Sequence, residues 1–257
     1  MGLGILSEKV TIITGGTSGL GAEMAKEFTK AGSSVVICGR NEEKGKAVVQ
    51  EVEENGGNIS FIKCDITNEG AVKKLINSTI KLFGKLDIAV NNAGVTGEMI
   101  PLVEHTQDSW DKIITTNLTS VWLCMKYEIP EMIKSNSGVI LNISSAGGLV
   151  GMENLVPYTA SKHGIVGMSK SASHEVGKYG IRVNALCPGG IKTPLDEVFY
   201  KDVENREEKQ KQRLKNYALG RHAEAFEIAQ TAVWLCSDHS SFITGAAISA
   251  DGGKVAK

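Results

Sequence analysis

The chain has 257 residues, 42% hydrophobic and 22% charged, which excludes wholesale disorder and supplies enough apolar mass for one sizeable α/β domain. Its 28 Lys and Arg against 29 Asp and Glu leave a formal net charge of −1, so it has no global field for nucleic acid or an anionic membrane. Glycine is in surplus, 29 residues against about 18 at ordinary composition, so some part of the fold needs backbone that bends or is approached closely.

Along the chain the apolar period switches repeatedly. Val10-Thr11-Ile12-Ile13 is a short β-branched run that closes on glycines, and Leu20, Met24 and Phe28 then recur every four residues, as on one helix face. Val35–Cys38 is a second buried run, followed by a polar helical stretch over 41–55 that Gly56-Gly57 closes. Next come a strand at 59–63, a helix over about 68–83 and a strand at 86–90. A long helical region covers about 107–134. Strands at 139–143 and 181–186 are separated by a helix over about 158–178, and a helix over about 223–236 leads to a last apolar segment at 246–249. No apolar run reaches the about 18 residues that a bilayer-spanning helix needs.

Seven short continuous apolar strands alternating with helices predict a single-domain α/β fold over 1–257. It is a Rossmann-type doubly wound parallel seven-stranded sheet with helices on both faces. Right-handed crossovers put every strand C-terminus on one edge, where ligands bind. The charge-rich stretch 193–220 breaks the rhythm after Pro188-Gly189-Gly190. Its Leu195, Val198, Phe199 and Leu214, at roughly helical spacing, predict a lid with one apolar face over that edge.

Thr14-Gly15-Gly16-Thr17-Ser18-Gly19-Leu20-Gly21 follows the first strand and opens the first helix. Backbone N–H groups in such a turn can approach a pyrophosphate, and the helix start favours its charge. The second strand ends Cys38-Gly39-Arg40-Asn41. A carboxylate for a ribose 2′-hydroxyl is missing there, and a guanidinium suits a 2′-phosphate. NADP(H) is therefore the expected cofactor, with NAD(H) the alternative.

Tyr158 and Lys162 stand four apart and share a helix face. A phenol titrates near 10, and lowering it by about three units takes roughly 4 kcal/mol. One cation at about 4 Å, at an effective dielectric of about 20, supplies energy of that order. Ser145 ends a strand shortly before Tyr158 and can hydrogen-bond a substrate oxygen. Asn91-Asn92-Ala93-Gly94 ends the fourth strand, and Asn117 stands inside the long helix, where Asn is a poor former. Cys38, Cys64, Cys124, Cys187 and Cys236 form no C-x-x-C and read as buried thiols in a reducing compartment. The five histidines have no metal-ligand spacing, so no metal is expected. The first six residues lack a leader pattern, which with the cysteines predicts a cytoplasmic protein.

Thr14–Gly21, Asp65 after the third strand, Asn91–Gly94, Asn117, Ser145, Tyr158, Lys162, Pro188-Gly189 with Thr193, and Asp251-Gly252-Gly253 together resemble the motif set of the short-chain dehydrogenase/reductase family over essentially the whole chain. The resemblance implies that Tyr158 is the general acid/base and that Lys162 binds the nicotinamide ribose and lowers the tyrosine pKa. It also implies that Ser145 orients the substrate carbonyl and Asn117 helps hold a relay water. It places the cofactor against Gly15, Thr17, Ser18, Gly19, Leu20, Gly21, Arg40 and Asn41. Asp65 and Ile66 would meet the adenine. Asn92, Ala93 and Gly94 would line the cofactor, and Pro188, Gly189, Ile191 and Thr193 would meet its nicotinamide end. The family's NADP members often carry a basic residue where this chain has Ser18.

The implied reaction interconverts a secondary alcohol and a ketone. Ser145, Gly147, Met152, Tyr158, Gly190, Leu195 and Phe199 are the expected pocket. An apolar wall of Gly147, Gly148, Leu149, Val150 and Met152, with room left at Gly97, suits a bulky or cyclic apolar substrate such as a hydroxysteroid or bile acid. The alternatives are 3-oxoacyl-thioester reduction, a lyase or epimerase on this scaffold, and a non-catalytic NADP-binding regulator. The last is least favoured, because Tyr158 and Lys162 are both kept. The expected partner is a small-molecule alcohol or ketone, with no nucleic acid and no membrane. The resemblance implies a homotetramer.

Overall fold

The computed structural model describes residues 4–200 and 205–256. Seven strands, β1 (Val10–Thr14), β2 (Ser34–Gly39), β3 (Ile59–Lys63), β4 (Ile88–Asn91), β5 (Gly138–Ile143), β6 (Ile181–Pro188) and β7 (Ala247–Ala250), pair in parallel throughout in the order β3-β2-β1-β4-β5-β6-β7. The order reverses direction between β1 and β4, which opens a crevice at the C-terminal edge of those strands. Helices α1 (Gly19–Lys30), α2 (Glu42–Glu54), α3 (Glu69–Phe83), α4 (Gln107–Ile114), α5 (Ser120–Ser135), α6 (Val156–Val176), α7 (Arg206–Leu214) and α8 (Ala225–Cys236) complete the fold.

Alternation along the strands splits the core in two. Ile13, Ile37 and Leu141 face Met24 and Phe28 of α1 and Leu235 of α8. Their neighbours Ile12, Val36 and Ile140 face Leu75 of α3, Met132 of α5 and Ile165 of α6. Parallel strands buried on both faces must read as continuous apolar runs, and these do. All five cysteines are buried and unpaired.

Two departures from the sequence reading matter. The long helical region is not continuous: α4 and α5 meet through one π-helical turn, Thr115–Thr119, which buries Asn117. In the stretch 193–220, a 3₁₀ segment (Pro194–Tyr200) precedes α7. Of the four apolar residues expected to share one face, only Leu214 lies on α7, which buries no residue, while Leu195 and Phe199 lie on the 3₁₀ segment. The Val198 side chain lies outside the described residues.

A polar chain crosses the core between sheet and helices. Asn91 Nδ2 donates to Glu128 Oε2 at 3.1 Å and to Asn142 Oδ1 at 3.0 Å. Asn142 Nδ2 in turn donates to Ser169 Oγ at 2.9 Å. Glu128 is fully buried, and burial pushes its carboxyl from 4.5 up to about 8. Above its ordinary range the unfolded chain has released this proton while the folded chain keeps it. Stability therefore falls as pH rises from about 4.5 toward about 8. The penalty is on the order of 3 kcal/mol at pH 7. Glu128→Gln is expected to raise Tm at pH 8 and to flatten the wild-type decline between pH 5 and 8. Thermal melts of both proteins across that range check it; an unchanged slope would contradict it.

Candidate active site

The site begins where β1 turns into α1. Gly15 adopts φ +67°, and a Cβ on Gly21 would lie 2.2 Å from the Gly15 carbonyl oxygen, so the turn closes only with glycine at both places. Ser18 precedes α1 in extended conformation without a side-chain cap, and the first turn carries no acidic residue. The N–H groups at this helix start are thus left to a ligand, and no carboxylate competes with an anion. This cradle fits the pyrophosphate of a dinucleotide. Across the β1/β4 switch, the N–H groups of Asn92 and Ala93 both donate to Thr14 Oγ1, at 2.9 and 3.1 Å, which fixes the end of β4 beside the turn.

A cavity of about 520 Å³ runs from this turn along the strand ends to Leu195 and Phe199. Of the residues expected at the cofactor, all but Asn41 line it. Asn41 instead caps α2, its Oδ1 accepting from Lys44 N at 2.9 Å. Exposed Arg40 lies at the rim near Asp65. The Asp65 carboxyl is held below its usual range by hydrogen bonds from the Thr67 hydroxyl and N–H, with a smaller contribution from Arg40. A Cβ on Gly39 would lie 2.7 Å from Thr17 Cγ2, so a larger residue there would need the Thr17 side chain to move.

At the other end, Pro157 stands in the first turn of α6, where a missing N–H costs nothing. Tyr158 and Lys162 follow one turn apart and are 8% and 5% exposed. Lys162 Nζ lies 5.7 Å from the Tyr158 ring centroid and donates to the Ile143 carbonyl at 2.9 Å. Burial lowers the Lys162 ammonium to about 8. Burial also raises the Tyr158 phenol, and a hydrogen bond with Ser145 offsets part of that rise. The lowered phenol pKa expected from Lys162 is not the balance seen here. Desolvation dominates, and the ammonium bonds a carbonyl rather than the phenol.

Asn117 does not line the cavity. Its Oδ1 accepts from Val95 N at 2.8 Å, and its Nδ2 donates to Val95 O at 2.8 Å and Ser161 Oγ at 3.1 Å. The side chain is committed to holding the loop after β4 against α6, which is a positioning role. Gly94 lies between: a Cβ there would be 3.2 Å from Asn117 Oδ1 and 3.5 Å from Lys162 Nζ.

Of the expected substrate pocket, Ser145, Met152, Tyr158, Gly190, Leu195 and Phe199 line the cavity. Gly147 does not: it is buried beneath Met152, whose sulfur would lie 2.5 Å from a Cβ there. The expected wall is also thinner than predicted. Leu149 packs on Val166, Ala185 and Cys187, Val150 is exposed, and Gly97 faces Ile113. The sequence reading missed a charged cluster. Asp196 Oδ1 accepts from Arg213 Nη2 at 3.1 Å, and its Oδ2 lies 3.3 Å from Nδ1 of buried His222. Tyr217 Oη accepts from Gly190 N at 3.0 Å, and Lys254 lines the cavity beside it. Scattered charges in a polar stretch carry no periodic signal, so nothing in the pattern pointed inward.

Among the described residues no group of three His, Cys, Asp or Glu can hold a metal ion, and no helix is long and apolar enough to cross a membrane. Residues 15–254 match the family model described as enoyl-(acyl carrier protein) reductase. The chain is 37% identical to a 3beta-hydroxysteroid dehydrogenase of Mediterraneibacter gnavus, over 98% of this chain and 96% of that one. It is 38% identical to a 3-oxoacyl-(acyl-carrier-protein) reductase of Chlamydia muridarum, over 97% and 98%. A solved structure of an actinorhodin polyketide ketoreductase variant with NADPH superposes with a TM-score of 0.91 at 32% identity, covering 96% of this chain and 97% of that one. With the nucleotide cradle and the Ser145–Tyr158–Lys162 cluster in one cavity, these matches show that the chain belongs to the short-chain dehydrogenase/reductase family of oxidoreductases.

Proposed function

We propose that the chain interconverts a bulky or cyclic apolar secondary alcohol and its ketone with NADP(H). The observation that carries the reading is one cavity lined by an uncapped helix start and by buried Tyr158 together with Ser145 and Lys162. A bound nicotinamide supplies or accepts the hydride. In reduction the Tyr158 hydroxyl donates its proton to the carbonyl oxygen, and the Ser145 hydroxyl donates a hydrogen bond to the same oxygen. The Lys162 ammonium stabilises the phenolate left behind, most strongly because both groups are buried. Asn117 keeps the loop after β4 and α6 in register.

The substrate class is supported by Met152, Leu195 and Phe199 on the cavity wall and by the hydroxysteroid-oxidising relative. The reading of 3-oxoacyl-thioester reduction is favoured by the acyl-carrier-protein reductase relative. NADP(H) is favoured by Arg40 at the rim and by glycine rather than a carboxylate at position 39. The segment 193–220 is proposed as a lid over this end. Assembly as a homotetramer in the cytoplasm completes the proposal; exposed Trp110 and Trp122 on α4 and α5 are consistent with the tetramer.

Tyr158→Phe keeps the ring and removes the proton. It is expected to lower kcat by at least about a thousandfold while NADPH still binds, as read by nucleotide fluorescence and by absorbance at about 340 nm. Retention of more than about a tenth of the activity would contradict the acid/base role. Steady-state kinetics with both cofactors are expected to give kcat/KM at least about tenfold higher for NADPH than for NADH, and Arg40→Asp is expected to narrow or reverse that ratio. Equal or better use of NADH by the wild type would overturn the cofactor assignment.

A further inference from the structure

The cavity wall carries a cation, Lys254, that makes no direct ion pair among the described residues. Lys254 follows β7 in a turn that its own neighbours fix. Asp251 is buried, and its two carboxylate oxygens accept from Gly253 N at 3.0 Å and Val255 N at 2.9 Å. That carboxylate is therefore occupied by backbone and attracts the lysine ammonium without a direct ion pair. The other nearby carboxylate, Asp196, has one oxygen on Arg213 and the other on His222. Lys254 is left with Nζ 5.5 Å from the Tyr217 ring centroid, facing the cavity, and without an ion pair among the described residues.

Resting on the proposed alcohol–ketone chemistry, we propose that Lys254 is a specificity-determining residue whose ammonium takes the carboxylate of a substrate with a bulky apolar body. Three points support the assignment. The lysine is half-buried, and burial together with the like charge of Arg213 lowers its pKa. Asp251 and Asp196 attract the ammonium without pairing with it directly, and burial with Arg213 outweighs them, so an entering anion in direct contact gains. The same cavity offers Met152, Leu195 and Phe199 to an apolar body. Finally, Lys254 presents a single ammonium outside the cradle of N–H groups at the start of α1, which suits a singly charged carboxylate. The substrate class so defined is an apolar ring system with the reacting alcohol or ketone at one end and an acid at the other.

The test uses a matched pair, a 3-oxosteroid bearing a side-chain carboxylic acid and the methyl ester of the same compound. The wild-type enzyme with NADPH is expected to favour the acid over the ester by at least about tenfold in kcat/KM, chiefly through KM. Lys254→Met, which keeps the length and removes the charge, is expected to bring that ratio to within about twofold of one, and Lys254→Arg to restore most of it. A wild type without acid preference, or a preference that survives Lys254→Met, would overturn the proposal and leave the apolar-ketone reading standing. Loss of NADPH affinity in Lys254→Met would assign the ammonium to the cofactor phosphates and also overturn it. Turnover of neither compound would remove the apolar-ketone reading itself, and this assignment with it.

Discussion

A reciprocal clamp between the end of β5 and α6 holds the proposed catalytic cluster in place. Ser144 Oγ donates to the Lys162 carbonyl at 2.8 Å, and Lys162 Nζ donates back to the Ile143 carbonyl at 2.9 Å. The fit around it is close. A Cβ on Gly148 would lie 2.2 Å from Ser144 Oγ and 2.7 Å from the Lys162 carbonyl oxygen. A second tie runs from Ser161, whose Oγ donates to the Tyr158 carbonyl at 2.6 Å and accepts from Asn117 Nδ2. Ser145, Tyr158 and Lys162 thus come from two elements but share one rigid support. In the proposed reaction that rigidity lets the Ser145 and Tyr158 hydroxyls meet a reacting oxygen, with Lys162 behind them, without reorganising.

The clamp also buries charge. Lys162 and Tyr158 both lose water, and both are pushed toward their neutral forms. Two groups destabilised in their charged states cost the fold something, as does Glu128 in the neighbouring polar chain. In the proposed reaction that cost has a use for the pair at the strand edge. A phenolate and an ammonium in low dielectric feel each other far more strongly than in water. For Glu128 the structure offers only a bridge between β4, β5 and α5, and its burden falls on stability.

Much of this was legible in the residues. Parallel strands covered on both faces produce short apolar runs, so β1, β2 and β5 were readable nearly to the residue. The glycines of the first turn announced themselves because Gly15 and Gly21 answer to backbone sterics, which sequence carries directly. Asn41 misled, since a cap at a helix start and a ligand contact at a strand end occupy the same place in the chain. Asn117 was readable as an anomaly in a helix, but a π-turn has no period of its own to detect. Gly147 was placed in the pocket when it lies beneath Met152, because facing depends on a 3₁₀ turn. The Asp196–Arg213–His222 cluster and Lys254 were silent. Their meeting depends on how the chain after β6 folds back across the strand edge, and no local pattern encodes that.

The most direct measurement is a carbon NMR titration of Tyr158 in protein labelled at the tyrosine Cζ, saturated with NADP+, for wild type and Lys162→Met. The chain has five tyrosines, and Tyr158→Phe assigns the signal. If the clamped ammonium stabilises the phenolate, Tyr158 titrates lower in wild type than in Lys162→Met by about one unit or more. Indistinguishable titrations would contradict the claim that Lys162 acts on the phenol, and would leave the clamp a purely structural device.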